Sequence, residues 1–326
     1  MGQTGDSFSS KVSLNMLTNI ARTVIMALIG LLMVPYYIDQ FGLATYAILP
    51  LATSVTNYFI IVSDSLSNAF SRYMTIAVQS GDKKRANEVF TSSIIGMGKC
   101  VLVLLPLVIF IAVMSPYIFH VGDSGRSDVQ MMFFLIMIAS LIISFSASIG
   151  GAYMAHNRLY ITYCSRILQT VSQVGVVIAL FLMQGPSLPT VGISYLISAV
   201  LMLLVMVGFL KHTCPYLHLS RKHYDETLLR EMGNLGLWAT LSELGTLLFI
   251  QASMIVVNVV LGSQIQGSFS IAANVIMMIH TACTALSAVS VPLAYREYAH
   301  GNTEGLVKVL RLSLIHISEP TRPEPI

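Results

Sequence analysis

The 326-residue chain is 55% hydrophobic and only 10% charged, with a formal net charge of +3 and a mean hydropathy of +0.75. A soluble chain carries about 25% charged residues, so a fully solvated surface is excluded, and so small a positive excess gives no reason to expect nucleic acid as a partner. Cys100, Cys164, Cys214 and Cys283 lie far apart without CxxC or Cys/His spacing, which argues against a zinc centre or a disulfide framework.

Taken in chain order, windows of about 19 residues predict eight spanning helices. They cover Val12–Ile38, Ala44–Ser63 with continuation toward Val78, Val89–Met114, Val129–Tyr153, Ile161–Met183, Thr190–Leu210, Leu235–Leu261 and Ile265–Leu293. A further helix begins near Gly305. Runs of this length cross about 30 Å of hydrocarbon. Without period-2 alternation they choose helices over a barrel. The expected fold class is an all-α polytopic membrane protein. The polar stretch Met1–Ser10 leads into an apolar segment longer than a signal-peptide core, so no cleaved leader is expected.

Charge in the loops alternates. Lys83, Lys84 and Arg85, then Arg158, then Lys211, Arg221, Lys222 and Arg230, and finally Arg296 and Lys308 mark one side. The intervening loops Asp39–Leu43, Gln184–Pro189 and Gly262–Gln266 hold no Lys or Arg, and Ser115–Asp128 holds only Arg126. The positive-inside rule makes the first set, and the N-terminus with Lys11, cytoplasmic. The expected location is the cell inner membrane, crossed several times.

A shift of 220 positions aligns two stretches without a gap. Phe41-Gly42 falls on Leu261-Gly262, Ala52 on Ala272, Val55 on Val275, Gly81 on Gly301 and Val89 on Val309. Span 1 then matches span 7, and span 2 matches span 8. A six-span unit repeated in one orientation implies a pseudo-two-fold axis along the membrane normal, with a midplane site between lobes. The chain accordingly divides into a six-span lobe (1–210), a cytoplasmic inter-lobe loop (211–230), an incomplete second lobe (231–311) and a tail (312–326). Leu312–Arg322 resembles a translated sequencing adapter, so the tail is expected to be non-native.

Pro35, Phe41-Gly42-x-x-x-Tyr46, Val62-Ser-Asp64-Ser and Arg72 together resemble the amino-terminal lobe of Wzx-type oligosaccharide flippases. That family belongs to the multidrug/oligosaccharidyl-lipid/polysaccharide exporter superfamily. Ala47 and Ser65-Leu66 depart from the usual Leu-Gly-x-x-x-Tyr-Gly and Asp-x-Gly patterns. The resemblance implies a V-shaped pair of helical lobes, with 12–14 spans in the family. It also implies a non-enzyme that turns an undecaprenyl pyrophosphate-linked oligosaccharide from the cytoplasmic to the outer leaflet. That step would serve O-antigen, capsule or exopolysaccharide synthesis. Implied partners are the lipid-linked oligosaccharide, membrane lipids, and the polymerase and glycosyltransferases of the same pathway. No cofactor is implied, with H+ or Na+ as the coupling ion. A multidrug or metabolite antiporter and a lipid II flippase share the fold. A membrane glycosyltransferase or polysaccharide polymerase would need catalytic groups on sizeable outer loops, and no HExxH, DxD or nucleophile motif appears.

A charge inside a span costs at least about 2.5–3.5 kcal/mol, which makes each one a candidate site residue. Arg22 lies about ten residues, roughly 15 Å, into span 1, and Lys99 is similarly placed in span 3. A guanidinium holds phosphate oxygens bidentately without losing its charge, so Arg22 leads as the diphosphate ligand; the alternative is snorkelling to the headgroups. Lys99 can bind, snorkel or shed its proton, and Arg166 reads as an interfacial anchor. Asn15, Asn19 and Arg22 fall at i, i+4 and i+7 on one stripe, where the amides line the cavity for sugar hydroxyls or join helices. Glu243 is near the repeat equivalent of Arg22. It pairs with that arginine across the cavity, binds the coupling ion, or is a core glutamate. Asp64 and Arg72 are expected at a cytoplasmic gate. No metal site is expected.

Overall fold

Capping aspartates fix two of the helix starts, and glycines in conformations unfavourable to other residues close several of the helices. The computed structural model describes residues 2–121 and 124–279. α1 (Gly2–Phe41) stops at Gly42, and a short turn of helix, α2 (Leu43–Tyr46), leads into α3 (Ile48–Gln79). α4 (Lys83–Ile118) is capped by Asp82, whose carboxylate accepts from the Arg85 amide at 2.9 Å. That cap starts the helix earlier than the expected Val89. Lys83, Lys84 and Arg85 therefore occupy its first turn instead of a loop. α5 (Arg126–Ala155), α6 (Leu159–Gln184) and α7 (Leu188–Thr213) follow, then a 3₁₀ turn (Arg221–His223) and α8 (Glu226–Leu261).

α8 also begins before its expected start at Leu235, again because of a cap. Asp225 accepts from the amides of Thr227 (2.9 Å) and Leu228 (3.1 Å). The Thr227 hydroxyl and the Leu228 amide hold the Asp225 carboxyl below the usual carboxylate range, with Arg85 adding to the effect. A lowered folded-state pKa means the cap is intact above the ordinary value, about 3.9. It is lost only as pH falls through the lowered one. Amide exchange at Thr227 and Leu228 should therefore stay protected to below about pH 4. Loss of protection near pH 6 would contradict the assignment.

Six helical stretches are long and apolar enough to cross a membrane, from Ser13–Phe41 to Leu188–Thr213, and no strand occurs among the described residues. The fold is all-α and polytopic. The clustered Lys and Arg of the connections at 80–82, 156–158 and 214–225, and of the adjoining helix turns, lie at one end of these helices. Gly42, residues 119–125 and Gly185 lie at the other.

α5 is the hub, packing on α3, α4 and α7; α6 packs on α7 and α1, and α8 on α3. Small residues set the close crossings. A Cβ on Gly192 of α7 would sit 2.9 Å from the Leu135 Cβ, and one on Gly151 of α5 would sit 2.9 Å from the Ser71 Oγ. Several serines inside the bundle meet the cost of desolvation by bonding back to their own helix, although the buried Ser148 Oγ has no partner among the described residues. Ser140 Oγ donates to the Met137 carbonyl at 2.7 Å, and Ser146 Oγ to the Ile143 carbonyl at 2.6 Å. Tyr153, fully buried, donates to the Met206 carbonyl and ties α5 to α7.

The two junctions 220 residues apart share their geometry. Gly42 has φ 76°, ψ 163° and Gly262 has φ 87°, ψ 172°. The Gly42 amide donates to the Ile38 carbonyl (2.8 Å) and its carbonyl accepts from Tyr46 (3.0 Å). The Gly262 amide donates to Asn258 (3.0 Å) and its carbonyl accepts from Gln266 (3.1 Å). This region of φ/ψ is closed to side chains at a cost of about 1–3 kcal/mol. Gly42→Ala and Gly262→Ala should each lower the unfolding midpoint of the protein in detergent, and an unchanged midpoint would refute the strain.

Compactness divides the chain into Met1–Phe269 and Ser270–Ile326. In the first unit, residues 263–269 form α9; in the second, residues 270–279 are helical. The end of the eighth expected span, the helix near Gly305 and the adapter-like tail lie outside the described residues.

Candidate functional site

α1 and α6 run side by side, and the intramembrane arginines Arg22 and Arg166 stand on these two helices. Their relative height is set near the basic end by Asn15. Its Nδ2 donates to the Asn157 Oδ1 (2.8 Å), and its Oδ1 accepts from the Tyr160 amide (2.8 Å). Asn157 holds a left-handed turn with φ 54° between α5 and α6, a conformation asparagine tolerates better than most residues. Asn15 thus serves as a helix-joining group, one of the two roles open to it from sequence.

Two turns further along α1, about 10 Å deeper, the Arg22 guanidinium lies over the Tyr163 ring, 5.4 Å from its centre. Tyr163 is on α6, and one turn on from it is Arg166. Arg166 interacts electrostatically with two groups, the Asp64 carboxylate of α3 and the like charge of Arg22. Arg22, Arg166 and Asp64 thus form one charge cluster contributed by three helices. Among the described residues no ion pair within 4.0 Å joins Asp64 to either arginine, so the carboxylate acts on Arg166 at longer range.

Several groups in this region have unused bonding capacity. Arg22 Nε, Asn19 Oδ1 and Thr162 Oγ1 are shielded from solvent and have no hydrogen-bond partner among the described residues. Such groups in a protein interior need a partner. Thr162, Arg166, Gln169 and Gln173 form one stripe on α6 at helical spacing. Gln169 Nε2 donates to the Gln173 Oε1 at 3.1 Å, and Gln173 bonds the Tyr195 hydroxyl of α7. Chemically, two fixed cations flanked by amides and hydroxyls can hold a multiply charged anion carrying hydroxyl-rich groups.

The remaining expected residues stand elsewhere. Lys99 was expected as deep as Arg22; it is exposed, and its Nζ donates to the Tyr224 hydroxyl at 2.8 Å in the segment before α8. Asp64 was expected near the membrane edge beside Arg72. It lies on α3, which continues past Arg72 to Gln79 as expected, and it interacts electrostatically with Arg166. Arg72 is exposed two turns further on. Glu243 belongs to α8, and its side chain lies outside those described. Sequence reasoning set Arg166 aside as an anchor and did not single out Tyr163. The available signal was a charge in the α6 apolar run with an aromatic three residues before it, on the face of Thr162. Among the described residues no group of His, Cys, Asp and Glu could hold a metal ion.

Residues 13–296 match the family model described as "Polysaccharide biosynthesis protein". The chain belongs to that family. It is 22% identical over 314 residues to a Bacillus subtilis (strain 168) protein described as "Uncharacterized membrane protein EpsK", an alignment covering 95% of this chain and 62% of that one. The chain thus spans less than two thirds of that relative's length. Among solved structures it is similar to an inward-facing multidrug resistance MATE family transporter of the MOP superfamily, with TM-score 0.69 and 16% identity over 93% of this chain and 67% of that one. It is also similar to an outward-facing multidrug resistance MATE family transporter of the same superfamily, with TM-score 0.67 and 15% identity over 94% and 69%. The fold is that of this superfamily.

Proposed function

We propose that this member of the polysaccharide biosynthesis family is a flippase, turning a lipid-linked oligosaccharide across the inner membrane by alternating access. The observation that carries the reading is the Arg22–Tyr163–Arg166 cluster inside otherwise apolar helices. A diphosphate linkage supplies the negative charge two guanidinium groups call for, and sugar hydroxyls suit the amides of Asn19, Gln169 and Gln173. An undecaprenyl pyrophosphate carrier fits both requirements. The isoprenoid tail would remain in lipid while the head group crosses.

In this reading residues 1–210 and 231–311 belong to two lobes joined by 211–230, with the N-terminus and the basic end cytoplasmic. Glycosyltransferases supply the cargo and a polymerase consumes it. Proton or sodium movement drives the cycle, with Glu243 at the coupling step. The protein acts as a transporter, without a catalytic centre of its own. Deleting the native gene should remove surface polysaccharide and make the lipid-linked precursor accumulate. Unchanged polysaccharide would refute the reading.

A second reading, a cation or drug antiporter, draws on the exposed Asp64 carboxylate within the cluster. It predicts that the deletion raises cellular drug accumulation and leaves surface glycan intact. A lipid II flippase predicts lysis in place of glycan loss.

A further inference from the structure

The segment joining α7 to α8 is bound to α4 and α5 along its length. Asn87 grips it twice, donating through Nδ2 to the Tyr216 carbonyl (3.1 Å) and accepting at Oδ1 from the His218 amide (2.7 Å). Thr91 Oγ1 donates to the His218 carbonyl at 3.3 Å. Ser92 Oγ accepts from the Asp225 amide (3.1 Å) and donates to its carbonyl (3.3 Å). Arg85 lies 3.6 Å from the Asp225 carboxylate, and Lys99 donates to Tyr224. From α5, the His156 Nε2 is 2.8 Å from the Tyr216 hydroxyl. Cys214, Leu217, Leu228 and Met232 are buried in one cluster with Phe70 and Phe90, and Gly96 of α4 leaves room for the Leu229 side chain.

The opposite end of α8 is held more lightly. Asn258 accepts from the His120 amide at 2.9 Å and donates to the His120 carbonyl at 3.2 Å, while the His120 Nδ1 lies 3.1 Å from the Asn258 carbonyl. His120 is exposed while Asn258 is buried, so water can replace the bonds on the His120 side, and Asn258 becomes hydrated only as the two part. Releasing the basic end would instead strand several peptide groups, each worth about 1 kcal/mol or more when left unpaired, and would expose the apolar cluster.

We propose that the α7–α8 segment is a permanent clamp. It keeps the basic end of α8 fixed to α4 and α5 throughout transport, so that α8 pivots there and parts from the rest at His120 and Asn258. This rests on the alternating-access reading above.

The test uses the native full-length protein with its cysteines replaced by serine and two paired-cysteine variants joined by a short, reducible thiol cross-linker. Cross-linking Thr91→Cys to His218→Cys should leave surface polysaccharide at the level of the reduced cells. Cross-linking His120→Cys to Asn258→Cys should lower it at least tenfold, with recovery on reduction. A block by the first cross-link, or full export with the second, overturns the proposal.

If either variant fails to fold, spin labels on exposed residues of the purified protein decide the question. The Leu219–Lys84 distance distribution should be narrower than that for Tyr117–Leu261, and an equal or broader one overturns the clamp. Cys214 adds a separate readout, because burial pushes its thiol up to about 11 and makes alkylation at neutral pH slow. That rate should stay slow during transport, and a rise would show the clamp opening. The label distances do not depend on cargo, so they test the clamp even if gene deletion fails to alter surface glycan.

Discussion

Arg22→Ala in the native gene should abolish surface polysaccharide while leaving the protein at its normal level in the membrane. Arg166→Ala should do nearly the same. Hydrogen bonds to a charged group are worth about 1.5–3 kcal/mol, so losing one guanidinium should slow transport by about tenfold to 100-fold. The double variant should fall short of the product of the two losses, because the groups share one anion and couple through Tyr163. Arg22→Lys should restore only part of the export, since an ammonium cannot reproduce the bidentate fork or the stacking on Tyr163. Surface glycan measured beside membrane protein level separates a transport defect from a folding one. Normal glycan in the double variant would remove both arginines from the mechanism.

Gly192→Val should prevent accumulation of folded protein. A Cβ there would meet the Leu135 Cβ at 2.9 Å and the Met132 Cα at 3.2 Å. The second contact is backbone, so no rotamer change relieves it. Overpacking costs about 1–3 kcal/mol in a tolerant core, and separating α5 from α7 would also break the Tyr153–Met206 bond. Fluorescence-detected size-exclusion chromatography of a tagged protein would show aggregation or loss. A monodisperse peak at wild-type height would mean the crossing can widen freely. Gly175 of α6 has open space around its Cβ position, so Gly175→Val is the control and should accumulate normally.

The first six spans, their order and the end at which charge collects were readable in the sequence, because hydrocarbon thickness and loop charge act over whole segments. Helix starts were misjudged wherever a polar cap extends a helix beyond its apolar stretch, as Asp82 does for α4 and Asp225 for α8. The capping aspartates were visible, but a hydropathy window averages them away. Gly42 and Gly262, aligned by the 220-residue shift, do share a backbone conformation, but Gly185 at the end of α6 has it too, because each closes a helix at the end opposite the basic one. The site was only half legible. Depth along α1 identified Arg22, but neither Tyr163 nor the Asp64–Arg166 interaction follows from counting along one helix. They depend on how α1, α3 and α6 are turned toward one another. Lys99 shows the reverse case. Its position in the apolar run suggested depth, while Tyr224, more than a hundred residues later, draws it to the basic end.

The packing of α1 chiefly on α6 bears on how the protein is made. A ribosome adding about 5–20 residues per second delivers α1 to the bilayer on the order of ten seconds before Tyr163 and Arg166 emerge. For that interval Arg22 lacks the Tyr163 ring it lies over in the folded protein. A guanidinium without that ring is expected to favour the phospholipid headgroups until α6 docks. Assembly of these helices would then end with a late settling of α1 against α6, marked by the Asn15 bonds to Asn157 and Tyr160.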